Sequence, residues 1–460
     1  MQMFKLVAQS RLRFLSCNQL IVVAITLLAF HGSSLGQTAT ETPLEVGNAA
    51  TEVDEAGEGE VADANDEYEL MKLFVDTLDE VQRNYVKPIS RRKLMEAAIE
   101  GVLTKLDVYS DYIAPEDIED FRRDVESEFG GIGVQVNMKN GVLSVLRPLY
   151  GTPGMKAGLK PGDMIEEVDG QPTVGFNLDD AVNLMKGRIG TSVRLKVRHP
   201  SGKVETLDVK REVIRVETVI SQQRGPDGSW DFILDDFKKI AYIRITSFSG
   251  HTGEELEAAL EQVKKEGMKG LVLDLRLNPG GLLPTAIEVC DMFLEKGRIV
   301  STSGRRADAR EWDAKSKGSY VGFPMVVLVN AFSASASEIV SACLQDNDRA
   351  VVVGQRTWGK GSVQKVIELE EGRSALKLTT STYLRPNGKN IHRFESMTEA
   401  DEWGVQPSPG MEVRMTLEQV ENLRDAFYKS AAAIPGEPQP TIYIDAQLER
   451  ALNHLKSQIP

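Results

Sequence analysis

Three apolar runs constrain this chain more than anything else in it: "GLVLDLR", "MVVLV" and "RAVVVG". None alternates polar with apolar residues. Each therefore needs cover on both faces, and strands of that kind belong to parallel sheets with helices above and below. Helical patterns separate them: "GEELEAALEQVKKEG" with its glycine stop, "PTAIEVCDMFLEKG" and "SEIVSACLQDN". With the strand "IAYIRI" ahead of them, residues from about 230 to 413 predict an α/β unit. The three strands run into "LDLRLNPGG", "VLVNAFSAS" and "VVVGQRTWGKGS". Right-handed crossovers place all three junctions at the carboxyl edge of the sheet, where open α/β sheets carry their sites. Gly281, Ser335 and Lys360 are thereby expected to converge.

The rest of the 460-residue chain is organised differently. "MQMFKLVAQSRLRFLSCNQ" holds Lys5, Arg11 and Arg13 and no acid. An 11-residue apolar run and the small, polar "HGSSLGQ" follow. That is a signal-peptide pattern with cleavage after Gly36, implying export to the periplasm or cell envelope. The alternative is a membrane anchor, for which the run falls short of the ~20 residues a span needs. From Glu41 to Glu69 there are eleven acids and no Lys or Arg, an acidic linker over 37–66. Residues 67–127 are expected to be helical, with Met71, Phe74, Val75, Leu78, Val81 and Tyr85 at helical spacing. Residues 128–217 predict a compact module of short strands and two short helices, with tight turns at "KPGD" and "VDGQ". Residues 218–415 form the α/β unit and 416–460 a helical tail.

The formal net charge of −14 argues against nucleic-acid binding. Beyond the leader only Cys290 and Cys343 remain, and no CxxC occurs. Neither a disulfide framework nor a zinc site is expected, and the two residues are expected as buried thiols.

The chemistry lies in "SASASEI" at 333–339. Its three serines alternate with small residues between a strand and a helix. A serine nucleophile needs a base. Of the five histidines, His31 lies in the leader, His199 in the small module and His454 in the tail, while His251 and His392 are at none of the three junctions. The G-x-S-x-G elbow occurs only within the leader. Lys360, between Gly359 and Gly361, is the remaining candidate. A lysine base has to be neutral, which requires a dry setting that lowers its ordinary value of ~10.4. Trp358 and the strand ends can supply one. Taken alone, these residues leave three readings open: a Ser–Lys pair, a phosphate-binding loop, and a plain turn.

"SASASEIVSACLQDNDRAVVVGQRTWGKGSVQ" resembles the signature of the carboxyl-terminal processing, or tail-specific, proteases. The resemblance covers roughly 70–415. It implies a ClpP/crotonase-like protease core with an inserted PDZ domain, "FGGIGVQV" and "GTPGMKAGLKPGDMIEEVDG" being similar to that family's PDZ segments. It implies a Ser–Lys dyad at this 25-residue spacing, which only Ser335 and Lys360 fit. Ser333 and Ser337 are then shape and capping residues. "LDLRLNPGGLL" resembles the oxyanion segment, so the amides of Gly281 and Ala336 are expected around the developing oxyanion. Gln364 matches a residue that orients the lysine, and Asp346 a supporting acid or a structural helix terminus. Two positions depart from the family: Ser408 stands where Asp is common, and Lys186 where many members carry the Arg that couples PDZ to protease.

The expected function is a secreted serine endopeptidase that recognises free protein C-termini and cleaves near them without a cofactor or metal. Gly130, Gly131, Ile132 and Gly133 offer a turn of backbone amides for a carboxylate. Apolar Val182 and Met185 line the facing helix. An adaptor or activator protein and a homo-oligomer are consistent with this reading. The competing readings are an inactive PDZ scaffold in the cell envelope and a crotonase-like acyl-CoA enzyme. Intact Ser335, Lys360, Gln364 and Gly281 speak against the scaffold, and the PDZ segment against the acyl-CoA enzyme.

Overall fold

The computed structural model describes residues 64–459 apart from 120, 123–127, 140, 306–308, 316–318, 395, 432 and 434–437. The leader and most of the acidic linker lie outside the described residues. Among those described, no helix is long and apolar enough to cross a membrane.

Two helices open the described chain, α1 (Ala64–Asn84) and α2 (Arg91–Leu103), the second capped by Ser90. Within the span 67–127 expected to be helical, residues 118–119 and 121–122 are helical again, but the chain between Leu103 and residue 118 is not. Asp107 there accepts from the amides of Tyr109 and Ser110, both at 2.7 Å, and from the Ser110 hydroxyl at 2.9 Å. An aspartate satisfying the next amides in this way competes with helix continuation. The chain turns instead into a short strand, β1 (Asp111–Ile113).

The next unit is a small antiparallel module. Strand β2 (Glu128–Gly131) is followed by β3 (Val134–Lys139), β4 (Val142–Pro148) and β5 (Met164–Val168). Helix α3 (Leu178–Met185), β6 (Ser192–Arg198), β7 (Val204–Lys210) and β8 (Glu212–Arg215) complete it. The sheet runs β3-β4-β5-β6-β7, while β2 pairs with β8 and closes the module at its base. Strand β3 is thus an edge strand, with α3 packed beside it.

The α/β unit is built as the unbroken apolar runs require. Strands β9 (Ile240–Ile245) and β10 (Gly270–Asp274) flank helix α4 (Thr252–Lys265) in sequence. Helix α5 (Leu283–Asp291), β11 (Arg298–Ser303), β12 (Met325–Val329), α6 (Ala336–Asp346) and β13 (Val351–Gly354) follow. Strands β9, β10, β12 and β13 are neighbours in that order, all parallel. Ala241, Ile243, Leu271, Leu273, Met325 and Val327 enter one core with residues of α4, α5 and α6. Ile240, Tyr242, Val272, Val326 and Leu328 enter a second core on the opposite face. Each such side chain gains roughly 1.5–3 kcal/mol from burial, which favours covering both faces.

The second cover comes from the far end of the chain. After β14 (Ser362–Leu369), β15 (Ser374–Leu384) and helix α7 (Leu417–Ala431), helix α8 (Ala446–Gln458) places Leu448, Ala451, Leu452 and Leu455 in that second core. The tail is therefore a layer of the α/β unit and not an appendage. Its N-cap, Asp445, also accepts from the fully buried Arg276, both oxygens lying 2.8 Å from Nη1. Arg276 pairs with Asp274 at 2.7 Å, and Tyr242 donates to Asp274 at 2.8 Å. A second, antiparallel sheet orders β1, β15 and β11, with β14 also on β15. The small module leans on the core through Arg224, whose guanidinium lies 3.7 Å above the Trp230 ring and 5.4 Å from that of Tyr150. Arg147 donates to the Ala431 carbonyl at the end of α7.

Candidate active site

The carboxyl ends of β9, β10, β12 and β13 form one edge, and the loops leaving them are laced together. Asn278 donates to the Ile245 carbonyl at 2.9 Å and accepts from the Gly280 amide at 2.8 Å. Its own carbonyl accepts from the Ala334 amide at 3.1 Å. Asn330 accepts from the Leu277 amide at 3.1 Å. Gly281, Ser335 and Lys360 do converge on this edge.

The three serines have different tasks. Ser333 donates to the Leu275 carbonyl at 2.8 Å and accepts from the Asn330 amide at 3.0 Å. Ser337 donates to the Asn278 carbonyl at 3.0 Å. Both are fully buried, and each bond contributes about 1 kcal/mol to holding the turn. Ser335 sits at the N-terminus of α6 with φ 54° and ψ −113°, a conformation that costs a side-chain-bearing residue of order 1–3 kcal/mol. Its hydroxyl faces that of Tyr383, whose acidity burial suppresses, pushing it up to about 12. Tyr383 therefore stays protonated near neutrality.

What holds Ser335 in that conformation is Glu338, one turn into the helix and fully buried. Its Oε2 accepts from the Ser335 amide at 2.8 Å and from the Lys360 amide at 2.8 Å. Its Oε1 accepts from the Thr357 hydroxyl at 2.5 Å and the Gly359 amide at 2.7 Å. Burial pushes this carboxyl above its ordinary value, and the four donors pull it back only in part. One carboxylate thus ties the serine turn to the lysine loop. Gly361 is needed in that loop because a Cβ there would meet His392 Cα at 2.8 Å. The Lys360 Nζ lies 4.8 Å from the centre of the Tyr109 ring.

Gly280 and Gly281 bring a second strand end against Ser335. A Cβ on Gly280 would lie 2.8 Å from Ser335 Cβ and 2.9 Å from the Ala336 nitrogen. Gly281 bridges to Phe248, whose carbonyl takes the Leu282 amide at 2.8 Å. Among the described residues the amides of Gly281 and Ala336 donate to no acceptor. Two such amides beside a serine, one at a helix N-terminus, form a site for a developing oxyanion.

The other expected residues fall as follows. Gln364, on β14, donates to Ser362 at 2.9 Å and to Thr379 at 3.2 Å. Asp346 is at the far end of α6, about 16 Å of helix from Ser335. There it accepts from Arg385 Nη2 at 2.7 Å and Nε at 2.9 Å, a structural clamp. Ser408 accepts from the Val352 amide at 3.0 Å and fastens β13. Cys290 and Cys343 are buried thiols on α5 and α6. In the small module Gly130 and Gly131 end β2, paired with Val213 and Glu212, so the turn proper starts at Ile132. Gly130 is also closed off by the Gly187 carbonyl, 2.5 Å from where its Cβ would be. Ile132 and Gly133 donate no amide bond among the described residues, and they lead into edge strand β3. Val182 packs against the module core from a half-buried position, whereas Met185 is a buried member of it and lines no open wall. Lys186 caps α3, and Arg211 donates to the Met185 and Leu184 carbonyls nearby.

Glu338, Tyr383 and Tyr109 were not anticipated. Glu338 left a signal: Ser335-x-x-Glu338 is a capping-box pattern. The tyrosines left none, being 48 and 226 residues from Ser335.

Comparison with known proteins gives the following. The model of peptidase family S41 matches residues 239–407 and a PDZ-domain model matches 145–199. The carboxy-terminal-processing protease of Bartonella bacilliformis is 37% identical over 409 residues, 85% of this chain and 89% of that protein. The carboxy-terminal processing protease CtpA of Bacillus subtilis is 36% identical over 316 residues, 68% of this chain and 65% of that one. Among solved structures, a photosystem II D1 C-terminal processing protease is 27% identical, covering 78% of this chain and 98% of its own, with a TM-score of 0.42.

The Glu338 geometry makes a prediction. Glu338→Gln replaces one acceptor oxygen by an amide donor that faces existing donors. It should destabilise the fold by roughly 2–4 kcal/mol in urea titration. Unchanged stability would show that the carboxylate does not hold the two loops together.

Proposed function

Because the chain belongs to peptidase family S41, the carboxy-terminal processing proteases, we propose that Ser335 is its nucleophile and Lys360 its general base. The chain is a serine peptidase with a PDZ domain. The observation that carries the residue assignment is the shared Glu338 oxygen, which brings the Ser335 and Lys360 amides to one point. The fixed roles of Ser333 and Ser337 leave Ser335 as the serine available for chemistry.

The cycle follows from these groups. Neutral Lys360 takes the Ser335 Oγ proton as Oγ bonds to the scissile carbonyl carbon. The carbonyl oxygen becomes an oxyanion and accepts from the Gly281 and Ala336 amides. The C–N bond breaks, and the Lys360 ammonium returns its proton to the leaving amine. Water then attacks the acyl-serine, giving its proton to Lys360. The carboxyl product departs, and Ser335 regains its proton from Lys360.

The PDZ domain supplies selection in this proposal. A substrate tail adds as a strand along the free edge of β3, beside α3. Its terminal carboxylate accepts from the Ile132 and Gly133 amides. Main-chain pairing makes side-chain selectivity loose and the carboxylate the main determinant. An adaptor protein and a homo-oligomer are compatible with this arrangement. Export through the N-terminal leader, placing the enzyme in the cell envelope, belongs to the same reading.

Three outcomes test the proposal. Ser335→Ala and Lys360→Ala should each lower kcat/KM by roughly 10⁴-fold or more with folding retained, and not additively. Ser333→Ala and Ser337→Ala should stay active while losing about 1 kcal/mol of stability. Near-wild-type turnover by Lys360→Ala would place the base elsewhere. Next, an unfolded substrate with an amidated C-terminus should be cut markedly more slowly than the free acid, and excising residues 130–215 should erase the difference. Equal cleavage by the intact enzyme would show that the tail carboxylate is not read. Lastly, N-terminal sequencing of the envelope-associated protein should begin near Gln37, whereas an intact Met1 in membranes would mark an anchor.

A further inference from the structure

The residues matched by the peptidase model begin at 239, yet a ring in contact with the Lys360 ammonium comes from the other end of the chain. Tyr109 belongs to the strap that follows α2. Three separate fastenings fix it there. Asp107 accepts from the Tyr109 and Ser110 amides, both at 2.7 Å. The Thr379 amide on β15 donates to the Ser110 hydroxyl at 3.1 Å, and Thr379 also accepts from Gln364. Strand β1 then pairs with β15 over Asp111–Ile113. Tyr109 is half-buried, and its ring face meets Lys360 Nζ at 4.8 Å from the centroid.

We propose that Tyr109 is a positioning residue for Lys360, its ring face holding the ammonium that forms each time the lysine takes a proton. The proposal rests on Lys360 being the base. A ring face attracts a cation and does little for a neutral amine. The contact therefore favours the protonated lysine, both at rest and as Ser335 surrenders its proton. Among the described residues, the other charged or titratable groups on this loop or packed against it include Arg356 with Glu399, Glu338 on α6, Asp107 on the strap, Tyr383 on β15, and His392 and Arg393 beyond β15. All stay in place when only residue 109 changes. The N-terminal segment thus becomes part of the catalytic centre through one aromatic ring, and displacing the strap would remove the contact that steadies the base.

The test is the pH profile of kcat/KM in the full-length enzyme, for wild type, Tyr109→Phe, Tyr109→pentafluorophenylalanine and Tyr109→Leu. The ascending limb reports the base losing its proton. Tyr109→Phe keeps the ring and should keep the midpoint. Pentafluorophenylalanine retains the shape of a phenylalanine ring while reversing the attraction of its face. It should move the midpoint to lower pH by roughly 0.4–1 unit and reduce the plateau by about 3- to 10-fold. Tyr109→Leu should shift in the same direction. If Leu prevents folding, the fluorinated ring decides the matter alone. A plateau that falls with an unmoved midpoint would mean that Tyr109 is only structural and would overturn the proposal. So would Tyr109→Phe shifting as far as the fluorinated variant, since the hydroxyl would then be responsible. Lys360→Ala, assayed alongside, separates the two readings: activity there defeats the base assignment, whereas inactivity there with an unmoved midpoint at position 109 defeats only the role of Tyr109.

Discussion

One buried carboxylate holds the centre of this molecule together. Glu338 has no solvent and receives four hydrogen bonds, two from the lysine loop's backbone, one from the serine's own amide and one from Thr357. A carboxylate is the side chain with enough acceptor sites for that set, and its short reach from the first turn of α6 fixes where the loop must lie. Backbone amides, not the side chains of Ser335 and Lys360, are what it grips. The strained backbone at Ser335 persists because this grip and the close approach of Gly280 leave the turn no alternative.

Outside that hub, the site is supported from both ends of the chain. Arg276 lies at the start of the segment carrying Gly280 and Gly281, and it is enclosed by Asp274 and Asp445. A guanidinium so deeply buried is tolerated because both carboxylates neutralise it and its donors are occupied. Helix α8 therefore both seals the second face of the sheet and fixes Arg276, at the start of the segment that carries Gly280 and Gly281. The strap after α2 contributes the other support, through Asp107, Ser110 and the ring of Tyr109. The PDZ domain is joined more locally, by stacking of Arg224 between Tyr150 and Trp230 and by Arg147 at the end of α7. The PDZ domain is thus a separate module, while the candidate site is supported by segments from both ends of the remaining chain.

The parallel sheet was legible because its strands are apolar throughout, a pattern with few solutions. The convergence of Gly281, Ser335 and Lys360 followed from crossover handedness alone. Choosing among Ser333, Ser335 and Ser337 was different. From the residues the choice stayed open; the family resemblance implies Ser335, and hydrogen bonding ties Ser333 and Ser337 to carbonyls. Helix breaks after Leu103, and resumes only at 118, because Asp107 offers the backbone another partner. The amide turn proved shorter than "GGIG" suggests because Gly130 and Gly131 pair with β8.

The sequence by itself determined which segments are buried on two faces and where the sheet edge with its three loops lies, and it carries the capping-box spacing of Ser335 and Glu338. These are local properties: the period of apolar residues and the reach of a side chain to its own helix end. Only the tertiary structure decided what meets what. Which helix covers the second face, which lysine-loop donors fill Glu338, and which rings stand beside Ser335 and Lys360 depend on pairing across 19 to 251 residues. Periodicity states that a surface must be covered, but the covering element is chosen by packing of the whole chain, and no local pattern encodes it.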